Sequence, residues 1–345
     1  MTITRRTTLA GGAAVALAAA GLPRPASAQA NQVVVGTWGG DYGGLLQSQI
    51  DQPLMKPLGI EVSQDVANND PRRTKLIAEK GSRRSSMDVA CINDIDSFTL
   101  SELGVLEKVP TGDVPRLSSV LPVFKKPDTI PHIYSAMVVL YNPNKVTTPP
   151  KSYADLFDPK YKGRVGYSDI LYNFNMAAAN IAAGGQPNDY TAGNKLLKEL
   201  KARDPKVYPS NEALAAALKS EEVWLTTMWL ARGFMWKKSG IPIAWSVPEE
   251  GAIPILFEAA VPKNSRAKDG AWKYLNAMLD PGAQVAFADK MGYVPTVKDA
   301  KLPDDLAKEI SLTEAQQAKL RPLDYAYIQR ERGPILDFWN KEFKG

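Results

Sequence analysis

Residues 33–44 read VVVGTWGGDYGG, and the apolar residues of 45–50 (LLQSQI) follow them directly. The three valines are typical of a buried β-strand, and the spacing of the later apolar residues is typical of a helix. A strand, a glycine turn and a helix in this order begin an α/β unit. The glycines allow the backbone to approach a ligand, so Trp38, Gly39 and Asp41 are candidate binding residues. The alternative is a tight turn with Trp38 packed in the core.

The same alternation continues along the chain. We predict strands at 60–66, 87–92, 133–140, 164–167, 223–227 and 253–257, and helices at 73–80, 97–103, 176–183, 190–203, 211–218, 267–279, 282–290, 313–320 and 324–343. Alternating strands and helices favour an α/β fold with helix-covered sheets. Extended segments near 135–142 and 255–262 are expected to join two sheet-based halves.

Composition excludes several kinds of chemistry. Of the 345 residues, 44% are apolar and 23% are charged, which is an ordinary globular balance. Cys91 and His132 are the single cysteine and histidine, which excludes an intrachain disulfide and the CxxC and HExxH motifs. A hydrolytic enzyme is a remote alternative, because a Ser-His-Asp triad would need His132 and no GxSxG accompanies it. We expect no catalytic residue, no metal and no cofactor.

Residues 1–30 have the features of an export signal. The pair Arg5-Arg6 precedes an apolar run rich in Ala and Gly, and Ala26-Ser27-Ala28 forms a small-x-small cleavage site. The paired arginines resemble a bacterial twin-arginine signal, and a general secretory leader is the alternative. We expect cleavage at residue 28 or 30 and a periplasmic protein. Three of the five net positive charges lie in this segment; the remaining +2 gives no reason to expect nucleic acid as a partner.

Several motifs share their order and spacing with one family. They are Trp38-Gly39-Gly40 after the first strand, Leu140-Tyr141-Asn142-Pro143, the segment 152–165 (SYADLFDPKYKGRV), and Pro262-Lys263 with Gly292-Tyr293 near the end. Together they resemble the bacterial periplasmic solute-binding proteins of ABC importers, in the spermidine/putrescine-binding branch. The resemblance implies an α/β, two-lobe type II fold (a Venus flytrap) with two mixed sheets flanked by helices.

The resemblance also implies a division of labour. Lobe 1 is expected to comprise 31–136 plus 262–305, and lobe 2 to comprise 137–261 plus 306–345. A small organic solute would bind between the lobes, and the closed form would dock on an inner-membrane ABC permease. Such a protein is not an enzyme, and we expect it to be a monomer.

Candidate ligand-binding residues lie at strand ends and on one predicted helix. The full set is Trp38, Gly39, Asp41, Asp94, Asp96, Asp169, Trp229, Arg232 and Phe257. Simple N-capping is the alternative role for Asp94 and Asp96, since Asp and Asn often cap helices. Trp229, Arg232 and Trp236 have the i, i+3, i+7 spacing of one helical face. Arg232 can grip a carboxylate with its guanidinium, and an interlobe salt bridge is the alternative.

Departures from the polyamine-binding pattern bear on the ligand. A polyamine needs carboxylates and aromatic faces to replace its hydration. The resemblance places a carboxylate pair shortly after the strand 164–167, where this chain has Ile170 and Asn173, and a Trp-x-Asp where it has 255–257 (ILF). Glu258 follows one residue late, which on a strand reverses the face. With Arg232 added, the pattern favours a carboxylate or an amino-acid-like zwitterion. Putrescine or spermidine is the alternative.

Overall fold

The computed structural model describes residues 31–345, so the expected export signal at 1–30 lies outside the described residues. The strands are β1 Gln32–Thr37, β2 Glu61–Val66, β3 Val89–Asn93, β4 Ile130–Tyr141, β5 Val165–Ser168, β6 Lys206–Tyr208, β7 Leu225–Trp229, β8 Ala244–Ser246, β9 Ile253–Ala260 and β10 Val294–Pro295. The α-helices are α1 Gly40–Leu46, α2 Asn69–Glu79, α3 Asp94–Glu102, α4 Tyr172–Ala182, α5 Thr191–Lys201, α6 Asn211–Lys219, α7 Leu230–Lys238, α8 Lys268–Met278, α9 Pro281–Met291, α10 Asp304–Ile310, α11 Glu314–Gln317, α12 Tyr325–Arg330 and α13 Arg332–Asp337. Across 31–345, every helix is too short or too polar to cross a membrane.

The strands form one hydrogen-bonded path that is parallel at both ends and antiparallel in the middle. Its order is β2-β1-β3-β9-β4-β7-β5-β6, with β10 and β8 also paired to β4. The pairs β1–β2, β1–β3, β5–β6 and β5–β7 are parallel, whereas β9 runs antiparallel to both β3 and β4. The pairing is therefore mixed, as predicted, but in residues 31–345 the two predicted sheets are joined into one continuous sheet, because β9 and β4 pair with strands of both halves.

Two long strands connect the predicted sheets. The 12-residue β4 pairs with β9 from Ile130 to Met137 and with β7 from Met137 to Tyr141. The other strand, β9, continues from β4 to β3, where Asn93 faces Phe257. The extended segments predicted to join the halves lie largely in β4 and β9, and these two strands hydrogen-bond to each other.

The buried apolar side chains form two large clusters on either side of this junction. One includes Val33, Leu46, Ile130, Tyr274 and Phe287. The other includes Val139, Tyr153, Leu214, Phe234 and Trp339. The β-branched and aromatic residues of the predicted strands supply much of both clusters, as burial of apolar surface requires.

The end of α9 brings an aromatic side chain to the junction. Asp280 caps this helix by accepting a 3.1 Å hydrogen bond from the Ala283 amide, and Pro281 is its first residue. The helix ends at Gly292, whose φ of 72° is left-handed. A Cβ there would lie 2.6 Å from Phe234 Cδ1, so glycine is needed on both counts. The chain can therefore turn sharply and bury Tyr293, the next residue.

Candidate ligand-binding site

A cavity of about 750 Å³ lies where several strands end. Trp38 directly follows β1, Asn93 ends β3, and Trp229 ends β7; all three line the cavity. Ligands of open α/β sheets bind in crevices at the carboxyl ends of parallel strands. The volume is in the usual range for sites of small organic molecules.

Aromatic rings form two walls of this cavity. On one side, Phe257 lies edge-on to Trp38 and to Tyr293, with ring centroids 5.2 and 5.1 Å apart. On the other side, Trp229 and Phe174 lie perpendicular at 4.5 Å. All five rings line the cavity, and the edge-to-face geometry is favourable for aromatic pairs. The walls can therefore bury the apolar body of a solute.

Arg232 on α7 lines the same cavity. Its nearest carboxylate is Glu212 of α6, at 3.8 Å from Nη1, and that Glu212 side chain is 73% exposed. The Nε atom of Arg232 is buried and has no hydrogen-bond partner in the described residues. Burial raises the pKa of Tyr293, and the positive charge of Arg232 opposes that rise. The guanidinium is thus a partly buried cation with a weak, solvent-screened counterion.

Asp96 also lines the cavity, but its carboxylate already forms an ion pair with Arg73. The Nη1 atom of Arg73 lies 2.7 Å from Asp96 Oδ1 and 2.7 Å from Asp70 Oδ1. Burial raises the pKa of Asp96, and Arg73 opposes that rise. At the mouth, Arg332 of α13 lies 3.4 Å from the exposed Asp70. N-capping of α3 falls to Asn93, whose side chain accepts from the Asp96 amide at 2.8 Å.

The glycine turn after β1 contributes backbone and one exposed acid. Gly39 and Asp41 line the cavity, together with Gly40, whose φ is 61°. The Asp41 carboxylate is 44% exposed and lies 3.8 Å from Lys290 Nζ. It is therefore at the mouth, in contact with water.

Asp94 is not among the residues that line the cavity. Its side chain is buried, and Oδ2 accepts hydrogen bonds from the Leu256 amide at 3.1 Å and the Tyr325 hydroxyl at 2.9 Å. Burial and the negative charge of Glu258 raise its pKa to about 7. Glu258 is fully buried as well and pairs with Lys126 at 2.9 Å. Both acids are bonded within the protein and neither lines the cavity. Their role is therefore to hold strands and helices together.

Asp169 is likewise directed away from the cavity. It accepts hydrogen bonds from Trp339 Nε1 at 2.6 Å and Lys344 Nζ at 2.8 Å, and so anchors the C-terminal segment. The neighbouring Ile170 and Asn173 line the cavity instead. The positions at which the resemblance places carboxylates therefore face the site without one.

The predicted helical face at 229–236 is wrong in part. Trp229 is the last residue of β7, with backbone angles of −60° and 133°, and the helix begins only at Leu230. Arg232 still faces the cavity, but Trp236 is packed in the second core cluster and does not line it. A strand-to-helix change at residue 229 breaks the i, i+3, i+7 relationship.

His132 has a structural environment. Its ring is fully buried, Nδ1 bonds to the Tyr42 hydroxyl at 2.8 Å, and Phe287 packs against it. Burial lowers its pKa to about 3, so the imidazole stays neutral near pH 7. Among residues 31–345 no group of three His, Cys, Asp or Glu side chains could hold a metal ion.

Sequence reasoning missed several residues around the cavity. They are Tyr42, Arg73, Phe174, Tyr293 and Arg332. Tyr293 stands in the quoted Gly292-Tyr293 motif, and Arg73 stands in an arginine pair at a predicted helix start, so both carried a signal. Arg332 carried none, because a C-terminal residue reaches the cavity only through the tertiary fold.

Comparisons with known proteins agree with this architecture. The sequence profile of a family described as bacterial extracellular solute-binding protein matches residues 55–314. The spermidine/putrescine-binding periplasmic protein of Escherichia coli K12 is 30% identical over 212 residues, which cover 58% of this chain and 60% of that protein. The matched part is thus less than two thirds of the relative's length.

Solved structures share the fold at low sequence identity. A GABA receptor has a TM-score of 0.76 at 22% identity, over 90% of this chain and 97% of its own. A binding protein from A. tumefaciens R10 in complex with agropinic acid has a TM-score of 0.74 at 20% identity, over 91% and 99%. The fold is that of the two-lobe type II periplasmic binding proteins. The chain therefore belongs to the family of bacterial extracellular solute-binding proteins, a family of binding proteins and not of enzymes.

Proposed function

We propose that this protein is the periplasmic solute-binding component of an ABC importer. It captures a small organic solute with a carboxylate, preferably an amino-acid-like zwitterion, in the cavity at the strand ends. It then delivers the solute to an inner-membrane permease as a monomer, after export by a twin-arginine-like signal. The lobes are 31–136 plus 262–305 and 137–261 plus 306–345, a division supported by the two separate core clusters.

The position of Arg232 is the observation that favours a ligand with a carboxylate. Its guanidinium lines the cavity, and in residues 31–345 the one carboxylate within 4.0 Å of it is that of the largely exposed Glu212, at 3.8 Å. A planar guanidinium is suited to bidentate binding of a carboxylate. Lobe closure would remove this contact from water and strengthen it.

Aromatic burial must supply the rest of the affinity. One charge-assisted pair contributes about 1.5–3 kcal/mol, whereas micromolar binding needs about 8 kcal/mol. Trp38, Phe257 and Trp229 offer the apolar surface for this difference. The amino group of a zwitterion would lie near Asp41 or Glu212 at the mouth, where the carboxylates are exposed.

Polyamine binding is the second candidate, supported by the E. coli relative named for spermidine and putrescine. Asp41, Asp70 and Glu212 line the cavity and could receive ammonium groups. Against it stand the pairing of Asp96 with Arg73 and the absence of a carboxylate at Ile170 and Asn173.

A melting assay separates the two candidates. The protein, purified without refolding, is melted with γ-aminobutyrate, glutarate, putrescine or spermidine at millimolar concentration. Ligand at 100 times its Kd adds about 2.7 kcal/mol to the free energy of unfolding. We expect stabilisation by a carboxylate probe, and native mass spectrometry should detect a co-purified solute of acidic or zwitterionic mass. Stabilisation by the polyamines alone would establish the second candidate.

A further inference from the structure

Two adjacent arginines of α2, Arg72 and Arg73, contact two groups of one cavity wall. We call this wall the α2 wall and define it by Trp38, Arg73 and Asp96, all of which line the cavity. Arg72 contacts Trp38, and Arg73 contacts Asp96.

Arg72 lies behind Trp38. Its guanidinium carbon is 5.0 Å from the centroid of the indole, and the residue is 1% exposed. Its Nη1 donates to Cys91 O at 2.7 Å and its Nη2 donates to Ala67 O at 2.6 Å. Within the described chain no carboxylate oxygen lies within 4.0 Å of it, so the two carbonyls hold its guanidinium directly, and the charges of Asp65 and Asp96 act on it only from a greater distance. A β-carbon on Gly36 would lie 3.2 Å from Arg72 Nε, so this glycine leaves room for the guanidinium.

Arg73 lies in front of Asp96. It is 12% exposed at the side chain, and Asp96 is 4% exposed. Burial alone would lower the pKa of Arg73, but the charges and hydrogen bonds of Asp96 and Asp70 outweigh burial and raise it. The guanidinium of Arg73 therefore stays charged beside Asp96.

These contacts remove the two groups that an ammonium would use. A cation stacks on an aromatic face through the ring's quadrupole, and a guanidinium already lies over Trp38. A second cation at that ring would be repelled by the first in a low-dielectric site. Likewise, Asp96 cannot give full charge to a ligand while Arg73 bonds to it. The remaining acids of the cavity, Asp41, Asp70 and Glu212, are at its exposed mouth.

We propose that Arg72 and Arg73 determine the charge selectivity of this cavity, excluding ligand ammonium groups from the α2 wall and leaving them only the acids at the mouth. A zwitterion is then accepted with its amino group outward, and a diamine, which needs an acid at each end, is rejected. This inference rests on the proposed function, in that a solute enters this cavity.

The test is a gain of diamine binding. Putrescine is titrated calorimetrically into the mature full chain and into Arg73→Gln, which frees the Asp96 carboxylate. We expect the Kd for putrescine to fall about tenfold or more. A tenfold change corresponds to the lower end of the free energy that one charge-assisted hydrogen bond contributes to binding. Arg83→Gln, at an exposed arginine that does not line the cavity, removes the same charge and should leave the Kd unchanged. Arg72→Gln removes the charge behind Trp38 and should add to the gain.

A further variant assigns the effect to the carboxylate. Asp96→Asn in the Arg73→Gln background should return the Kd for putrescine to the wild-type value. An Arg73→Gln protein with the near-ultraviolet circular dichroism of wild type but the same putrescine affinity would overturn the inference, as would a gain that survives Asp96→Asn. Should Arg72→Gln fail to fold, the Arg73 variants decide alone. If wild type already prefers putrescine over the carboxylates, the proposed ligand class and the rejection of diamines both fail. If wild type binds a carboxylate probe and Arg73→Gln gains no affinity for putrescine, the proposed function stands and the inference alone is contradicted.

Discussion

The Tyr325 hydroxyl donates a 2.9 Å hydrogen bond to Asp94 Oδ2, which ties helix α12 to the first turn of α3. The same oxygen accepts from the Leu256 amide of β9 at 3.1 Å. One buried carboxylate thus connects three elements that meet behind the cavity. Its protonation should therefore affect the stability of the fold.

Asp94 should make the protein less stable as the pH rises from about 4 to about 7. Burial and the charge of Glu258 raise its pKa in the folded state to about 7, although Lys126 and the hydrogen bonds oppose the rise. The unfolded value is about 3.9, so the folded state binds the extra proton in this window. Asp94→Asn should remove this part of the pH dependence, as measured by urea unfolding from pH 4 to 8. Equal slopes for the variant and wild type would contradict the assignment.

His132 should act in the opposite direction at lower pH. Burial lowers its folded pKa to about 3, whereas the unfolded value is about 6.5, so the unfolded state binds more protons between these values. Stability should fall as the pH drops from about 6.5 to 3. His132→Asn places an amide where Nδ1 bonds to Tyr42 and should flatten this acid limb. The same urea series, extended to pH 3, measures this loss of stability. An equal loss in His132→Asn and wild type would show that other groups cause it.

Arg232→Ala should weaken binding of a carboxylate probe by about ten- to a hundredfold, the range for a charge-assisted pair. The melting temperature without ligand should stay the same, because the Glu212 partner is exposed and such pairs contribute about 0–1 kcal/mol. Calorimetric titration and melting curves measure the two quantities. Lys238→Ala, in the last turn of the same helix and outside the cavity lining, is the matched control. Undiminished stabilisation by the probe would remove Arg232 from the site.

Asp169→Ala should lower the free energy of unfolding without changing solute affinity. It leaves Trp339 Nε1 and Lys344 Nζ without their acceptor, and a lost buried hydrogen bond costs about 1–3 kcal/mol. Denaturant unfolding and calorimetry on the same preparation measure both effects. A large loss of affinity at full stability would instead restore Asp169 to the cavity.

Local pattern predicted most of the regular structure. The seven predicted strands correspond to β1–β5, β7 and β9, with ends within about three residues, because each carries a run of β-branched and apolar residues that strands favour. The short strands β6, β8 and β10 were not predicted. Three residues or fewer show no periodicity, and these segments are extended because a neighbouring strand offers hydrogen bonds to them.

The sequence predicted part of the candidate site from the positions of strand ends. Trp38 directly follows β1, as the predicted strand and glycine turn imply, whereas Trp229 was predicted to lie on a helical face and instead ends β7; both line the cavity. Asp94 and Asp169 occupy similar sequence positions but are directed elsewhere, because donors from Tyr325 and Trp339 hold them. Those donors come from the C-terminal segment, more than 150 residues away in sequence.

The amino-acid sequence by itself determined the α/β alternation, the glycine turn after β1 and the arginine placed on the helix after β7. These follow from local periodicity and steric freedom, which a linear pattern contains. Only the tertiary structure decided which charges remain available to a ligand: Arg73 neutralises Asp96, whereas Arg232 keeps a distant and exposed partner. Electrostatic strength depends on distance and burial in three dimensions, and spacing along the chain does not report either of them.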